Sequence, residues 1–95
     1  MEDQRILRLS QMFDVLSDPN RLAIVLFLKK EKKSVSEITK YLGMSQSAVS
    51  HQLKIMRDTR ILTSKKEGKT VYYSINDEHV ENIVNNGLIH MGHEV

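Results

Sequence analysis

Apolar positions recur with a helical period through most of the chain and switch to near-alternation in one stretch near residue 70. Ile6, Leu9, Phe13 and Leu16 step by three and four, which predicts a first helix over about residues 3–16. Asp18 followed by Pro19 is a start signal. The aspartate can cap, and proline at the first helical position gives up an N–H that has no helical partner anyway. The second helix is expected to run to about Lys30 and to bury Leu22, Val25, Leu26 and Leu28. Ser34 and Glu37 form an S-x-x-E capping box that opens a third helix, and Gly43 closes it. Met44 and Ser45 make a turn and N-cap into a fourth helix that reaches about Thr59. ILTSKKEGKTVYYSI then predicts two short strands around Lys66-Glu67-Gly68-Lys69, with glycine at the tight turn. A last helix starts near Asn76 or Asp77.

Helix, short glycine turn, helix and basic hairpin make a mainly α fold with a small β-hairpin, a winged helix-turn-helix. Residues 1–95 are expected to form one domain, with the first and last helices as the interface of a homodimer. The fourth helix divides its labour. Ala48, Val49, Leu53 and Met56 face the core, while Gln46, Ser47, Ser50, His51 and Lys54 fall on the other side. Short polar side chains let a helix lie deep in the major groove of duplex DNA, and Gln, Ser and Lys reach base edges or phosphates. An ordinary solvated helix face accounts for any one of these residues alone. In the wing, Lys65, Lys66 and Lys69 suit backbone phosphates or an adjacent minor groove.

Charge strengthens this picture. The net charge is only +2, but residues 29–71 hold eleven Lys or Arg against four acids, and no basic residue follows Lys69. A basic middle between acidic ends is the footprint of a surface that meets a polyanion. The absence of Trp, with Tyr72 and Tyr73 placed in a strand, argues against a base-stacking platform for single strands. There are no cysteines, so disulfides and thiolate metal sites are excluded, and a reducing cytoplasm is the expected location. The opening MEDQRILRLSQ has no apolar run, so no secretory leader is expected.

The remaining chemistry sits in the last twenty residues, where Asp77, His79, His90 and His93 form a D-x-H-x10-H-x2-H pattern. Carboxylate and imidazole are ligands that zinc and similar borderline metals accept, at four per structural site. On one continuous helix the two pairs would lie roughly 20 Å apart, too far for a single ion. Antiparallel pairing of two such helices sets Asp77 and His79 of one copy opposite His90 and His93 of the other, giving two identical sites per dimer. A helix that merely packs or faces solvent is the plain alternative.

SDPNRLAIVLFL, SVSEITKYLGMSQSAVSHQLKIMRD and KKEGKTVYYSI together resemble the ArsR/SmtB family of dimeric bacterial metal-responsive repressors, over about residues 8–93. The tail is similar to the branch that senses zinc, with cobalt as a surrogate. The resemblance implies an apo-dimer that binds operator DNA and Zn(II) that releases it, derepressing zinc efflux or homeostasis genes. Many relatives carry a Cys-x-Cys site before the recognition helix; here the segment reads SEITKYLG, which removes thiolate sensing of arsenic, antimony and mercury. Two alternatives stay open: a repressor of the same family without metal input, and one answering nickel. No H-E-x-x-H, nucleophile elbow or Gly-rich phosphate loop supports an enzyme.

Overall fold

The computed structural model describes residues 2–95, in the order α1 (Gln4–Leu16), α2 (Pro19–Phe27), β1 (Lys33–Ser34), α3 (Val35–Leu42), α4 (Gln46–Asp58), β2 (Leu62–Glu67), β3 (Thr70–Ile75) and α5 (Glu78–His90). The local signals act as expected. Asp18 accepts from the Arg21 N–H, Ser34 and Glu37 form the reciprocal capping box, and Ser45 accepts from the Ala48 N–H. Gly43 ends α3 at φ 67, a left-handed conformation in which a side chain would crowd the next carbonyl. Gly68 sits at φ 64 in the two-residue turn between β2 and β3, the type II′ pattern that matches the twist of a hairpin.

The β-structure is larger than a hairpin. Lys33 and Ser34 pair antiparallel with Tyr73 and Tyr72, so the sheet has three strands in the order β1-β3-β2. Two residues inside a charged run carry no alternation to announce a strand; the free edge of β3 recruits them. α2 is also shorter than its apolar pattern predicts, ending at Phe27. Its cap, Leu28, is buried, and the Leu28 N–H bonds to the Ile24 and Val25 carbonyls at 3.0 and 3.2 Å, so the chain turns toward the sheet at Phe27 rather than at Lys30.

Ile24, Val25, Ile38, Val49, Leu53, Met56, Ile61 and Leu62 form the centre of the core, each essentially inaccessible to solvent. α4 supplies three of them from positions one helical turn apart, which seats it firmly between α3 and the sheet. One expectation about the core needs correction: Leu26, expected to be buried, is 39% exposed, and Leu22 is half-buried. Ile6, Leu9 and Phe13 are 49%, 50% and 50% exposed. α1 meets α2 through its C-terminal end, where Val15 and Leu16 are buried, and leaves its earlier apolar face uncovered by its own chain.

Two helices end in the same way. At α5 the Gly92 N–H bonds to Ile89 O at 3.0 Å and the His93 N–H to Leu88 O at 2.9 Å, with Gly92 at φ 86. This is a Schellman stop. At α4 the equivalent bonds run from Arg60 to Arg57 at 3.0 Å and from Ile61 to Met56 at 2.9 Å. There the left-handed position is held by Arg60, at φ 62, although a glycine would suit it better.

Candidate functional site

All five polar residues assigned to the outward side of α4, Gln46, Ser47, Ser50, His51 and Lys54, are exposed, while Val49, Leu53 and Met56 anchor the opposite side. Lys65, Lys66 and Lys69 of the wing are exposed as well. The tertiary structure brings part of this set together. An open groove of about 550 Å³ is lined by Gln46 and Ser50 of α4, Ser36 at the start of α3, and Lys69, Thr70 and Tyr72 of the wing. A convex helix flanked by a cationic strand turn is the shape that enters a major groove while gripping the adjoining backbone. Ser36, Thr70 and Tyr72 were not singled out from sequence. Hydroxyl residues are common in loops and strands, and only the fold shows that these three adjoin α4.

The wing is fastened near its tip, at the strand end next to the Gly68-Lys69 turn. Lys32 pairs with Glu67, and its ammonium lies 4.9 Å from the centre of the Tyr72 ring. Their hydrogen bond is the main cause that holds the Glu67 carboxyl below, and the Lys32 ammonium above, its usual range. Both groups are solvated, so the pair steers the wing more than it stabilises the fold. A second polar contact reaches α4 itself. Arg21 Nε donates to Gln52 Oε1 at 2.6 Å, and the same guanidinium lies 3.4 Å from the Val15 carbonyl. Gln52 flanks the Val49–Met56 stripe on the helical wheel, the one sequence signal that could have marked it as half-buried.

The tail residues fall into separate places. Asp77 is the N-cap of α5: Oδ1 accepts from the His79 and Val80 N–H groups at 2.9 and 3.2 Å, and Oδ2 accepts from the Asn76 amide at 3.0 Å. The Asn76 amide first, then the Val80 and His79 backbone donors, hold the Asp77 carboxyl below its usual range, so it is a carboxylate at neutral pH. His79 Nδ1 lies 3.3 Å from Asp77 Oδ1, so this pair is together as expected. His90 is exposed in the last turn of α5, on the His79 side and roughly 16 Å further along. His93 is where expectation and structure part. On a continuous helix, three residues on, it would share a face with His90, but Gly92 turns the chain out of the helix first. His93 therefore lies beside Leu26 and Leu88. Among the described residues no three potential ligands gather within one chain.

The donors fit a borderline metal in kind: one ionised, exposed carboxylate and exposed imidazoles, without sulfur. They do not close around an ion within a single copy. Beside α5, an apolar groove of about 410 Å³ is lined by Phe13, Leu16, Leu22, Leu26, Ile83 and Leu88, among others. With the exposed Ile6 and Leu9 of α1 and Ile89 and Met91 at the end of α5, it leaves these two helices with uncovered apolar surface.

Residues 18–64 match the pattern described as bacterial regulatory protein, arsR family. The chain is 37% identical over 76 residues to the transcriptional repressor SmtB homolog of Synechocystis sp., covering 80% of this chain and 58% of that protein. It is 33% identical over 88 residues to the cadmium resistance transcriptional regulatory protein CadC homolog of Staphylococcus aureus, covering 92% and 73%. Among solved structures, NolR from Sinorhizobium fredii superposes with a TM-score of 0.86 at 26% identity, over 95% of this chain and 90% of that one.

Proposed function

The chain belongs to the arsR family of bacterial regulatory proteins, and on that premise we propose that it is a homodimeric repressor that grips operator DNA and is released by Zn(II). The observation that carries the DNA half is the grouping of Gln46, Ser50 and Lys69 around one groove beside an α4 whose outward face is entirely polar. Gln46, Ser47 and Ser50 approach base edges, where each well-placed contact discriminates by about 1–3 kcal/mol. Lys54 and the wing lysines hold phosphates. Four lysines per protomer neutralising one phosphate each would give a salt slope of about −7 for a dimer. As a family of transcriptional regulators, the arsR proteins place the chain outside the enzymes.

The second copy is supported by the uncovered apolar faces of α1 and α5. With two-fold symmetry, one patch covers its own equivalent. Zinc, held by Asp77 and His79 of one copy and His90 and His93 of the second, would supply a four-ligand crosslink between the terminal helices. His93 follows the helix stop at Gly92, so its approach is set by a short tail rather than by the α5 axis. Asp77 caps the start of α5 and His90 lies in its last turn, so donors at both ends make any tie between copies act on the whole helix. Two reading heads must meet half-sites about 34 Å apart, so a small change in the relation between copies is enough to reduce DNA affinity.

The test is a Co(II) titration of the metal-free dimer, then Zn(II) competition, with duplex release followed by fluorescence anisotropy. Intense visible bands at one Co(II) per protomer, bleached by Zn(II) with loss of DNA binding, are expected. DNA binding unaffected by either metal refutes the zinc reading and leaves a repressor whose tail only dimerises. Weak octahedral bands with strong release by Ni(II) favour the nickel alternative.

A further inference from the structure

α4 is held in the protein by two kinds of contact with different mechanical consequences. Val49, Leu53 and Met56 seat it by apolar packing, which sets depth well but has little directional preference. A polar, directional restraint is added at one place. Among the described residues, the hydrogen bond from Arg21 Nε to Gln52 Oε1 is the one side-chain polar contact between α4 and any other element. The remaining side-chain hydrogen bonds and ion pairs of α4 stay within the helix and its caps.

The other arm of the Arg21 guanidinium reaches Val15 O in the last turn of α1. Arg21 thus bridges the helix that presents Ile6, Leu9 and Phe13 and the helix that presents Gln46, Ser47 and Ser50. A planar guanidinium can hold two acceptors on two helices at fixed angles; an ammonium cannot impose that geometry. Gln52 is not itself a reader. It lies about 160° around α4 from Ser50 and Lys54, and it is half-buried where they are exposed.

We propose that Arg21 is a positioning residue that sets the rotation of α4 about its own axis relative to α1, and thereby the register of the reading face, without touching DNA. The magnitude of the geometry is sufficient. At a side-chain radius of about 6 Å, a helix rotation of about 15° moves a reading atom by about 1.6 Å. A hydrogen bond tolerates about 0.5 Å in length. Loosening the bridge therefore costs base-edge contacts first, while lysine-to-phosphate contacts, made by long flexible side chains, adapt. This inference rests on the reading that α4 binds duplex DNA.

The experiment uses the full chain and a duplex that the parent protein selects from a random-sequence pool, with a scrambled duplex of equal length as reference. Anisotropy titrations at several salt concentrations compare the parent with Arg21→Ala, Arg21→Lys, Gln52→Ala and the double variant Arg21→Ala/Gln52→Ala. Arg21→Ala and Gln52→Ala are each expected to weaken binding to the selected duplex by about tenfold or more. The double variant should be no worse than the weaker single one, and Arg21→Lys should fall between. Affinity for the scrambled duplex and the salt slope should stay at parental values. Gln52→Ala removes the bridge from the α4 side, so a folding defect of the Arg21 variants alone does not hide the result. Parental affinity of Gln52→Ala for the selected duplex overturns the inference. So does an equal loss on both duplexes or a shallower salt slope, which would make Arg21 a phosphate contact. A parent protein that selects no duplex removes the premise itself, and does so before any variant is compared.

Discussion

Phe13→Ala is the sharpest probe of how two copies meet. The Phe13 side chain is 50% exposed and lines the groove between α1, α2 and α5. A phenylalanine presents about 200 Å², so about 100 Å² remains for a partner to cover. At about 25 cal/mol per Å² this is ~2.5 kcal/mol per copy, and two-fold symmetry counts it twice, about 5 kcal/mol per dimer. Alanine retains some of that area, so a loss of about 3 kcal/mol is the working figure. It corresponds to roughly a hundredfold weaker dimer. Sedimentation velocity over a concentration series reads the constant directly, and far-UV circular dichroism confirms that the helices persist. A dimer constant within threefold of the parent's would show that α1 does not form the interface, and the reasoning from uncovered apolar surface would fail.

Arg60→Gly should stabilise the fold. The left-handed position that ends α4 costs a non-glycine residue about 1 kcal/mol, so the melting temperature should rise by about 4–8 °C, as read by calorimetry. An unchanged or lower value would mean that the Arg60 side chain compensates for the strain. Asp77→Asn keeps an N-cap but removes the charge. The folded carboxyl of Asp77 lies below its ordinary 3.8, so its contribution is present above that pH and is lost as pH falls through the folded value. Urea midpoints from pH 7 to pH 2 should therefore drop less steeply in the acid range for the variant than for the parent; parallel curves would contradict this. Lys69→Ala should weaken duplex binding across sequences and reduce the salt slope by about 2 per dimer, while a sequence-selective loss with an unchanged slope would make Lys69 a base reader.

Much of this molecule is written locally. Asp18 with Pro19, Ser34 with Glu37, Gly43, Ser45 and Gly68 each satisfy or interrupt the backbone within a few residues of themselves, so their effect does not depend on what packs nearby. For the same reason the polar outward face of α4 could be read directly, because its apolar stripe of Val49, Leu53 and Met56 repeats within one helix. Gly92 carried the same kind of signal as Gly43, and it decides that His93 leaves the line of α5. What only the tertiary structure decided concerns partners distant in the chain. β1 exists because β3 offers it an edge, and Arg21 meets Gln52 because two helices cross. The helical spacing of Ile6, Leu9 and Phe13 established that an apolar face exists. Whether that face is covered by its own chain or left open to a second copy depends on where α1 docks, and burial is a property of neighbours that no local pattern contains.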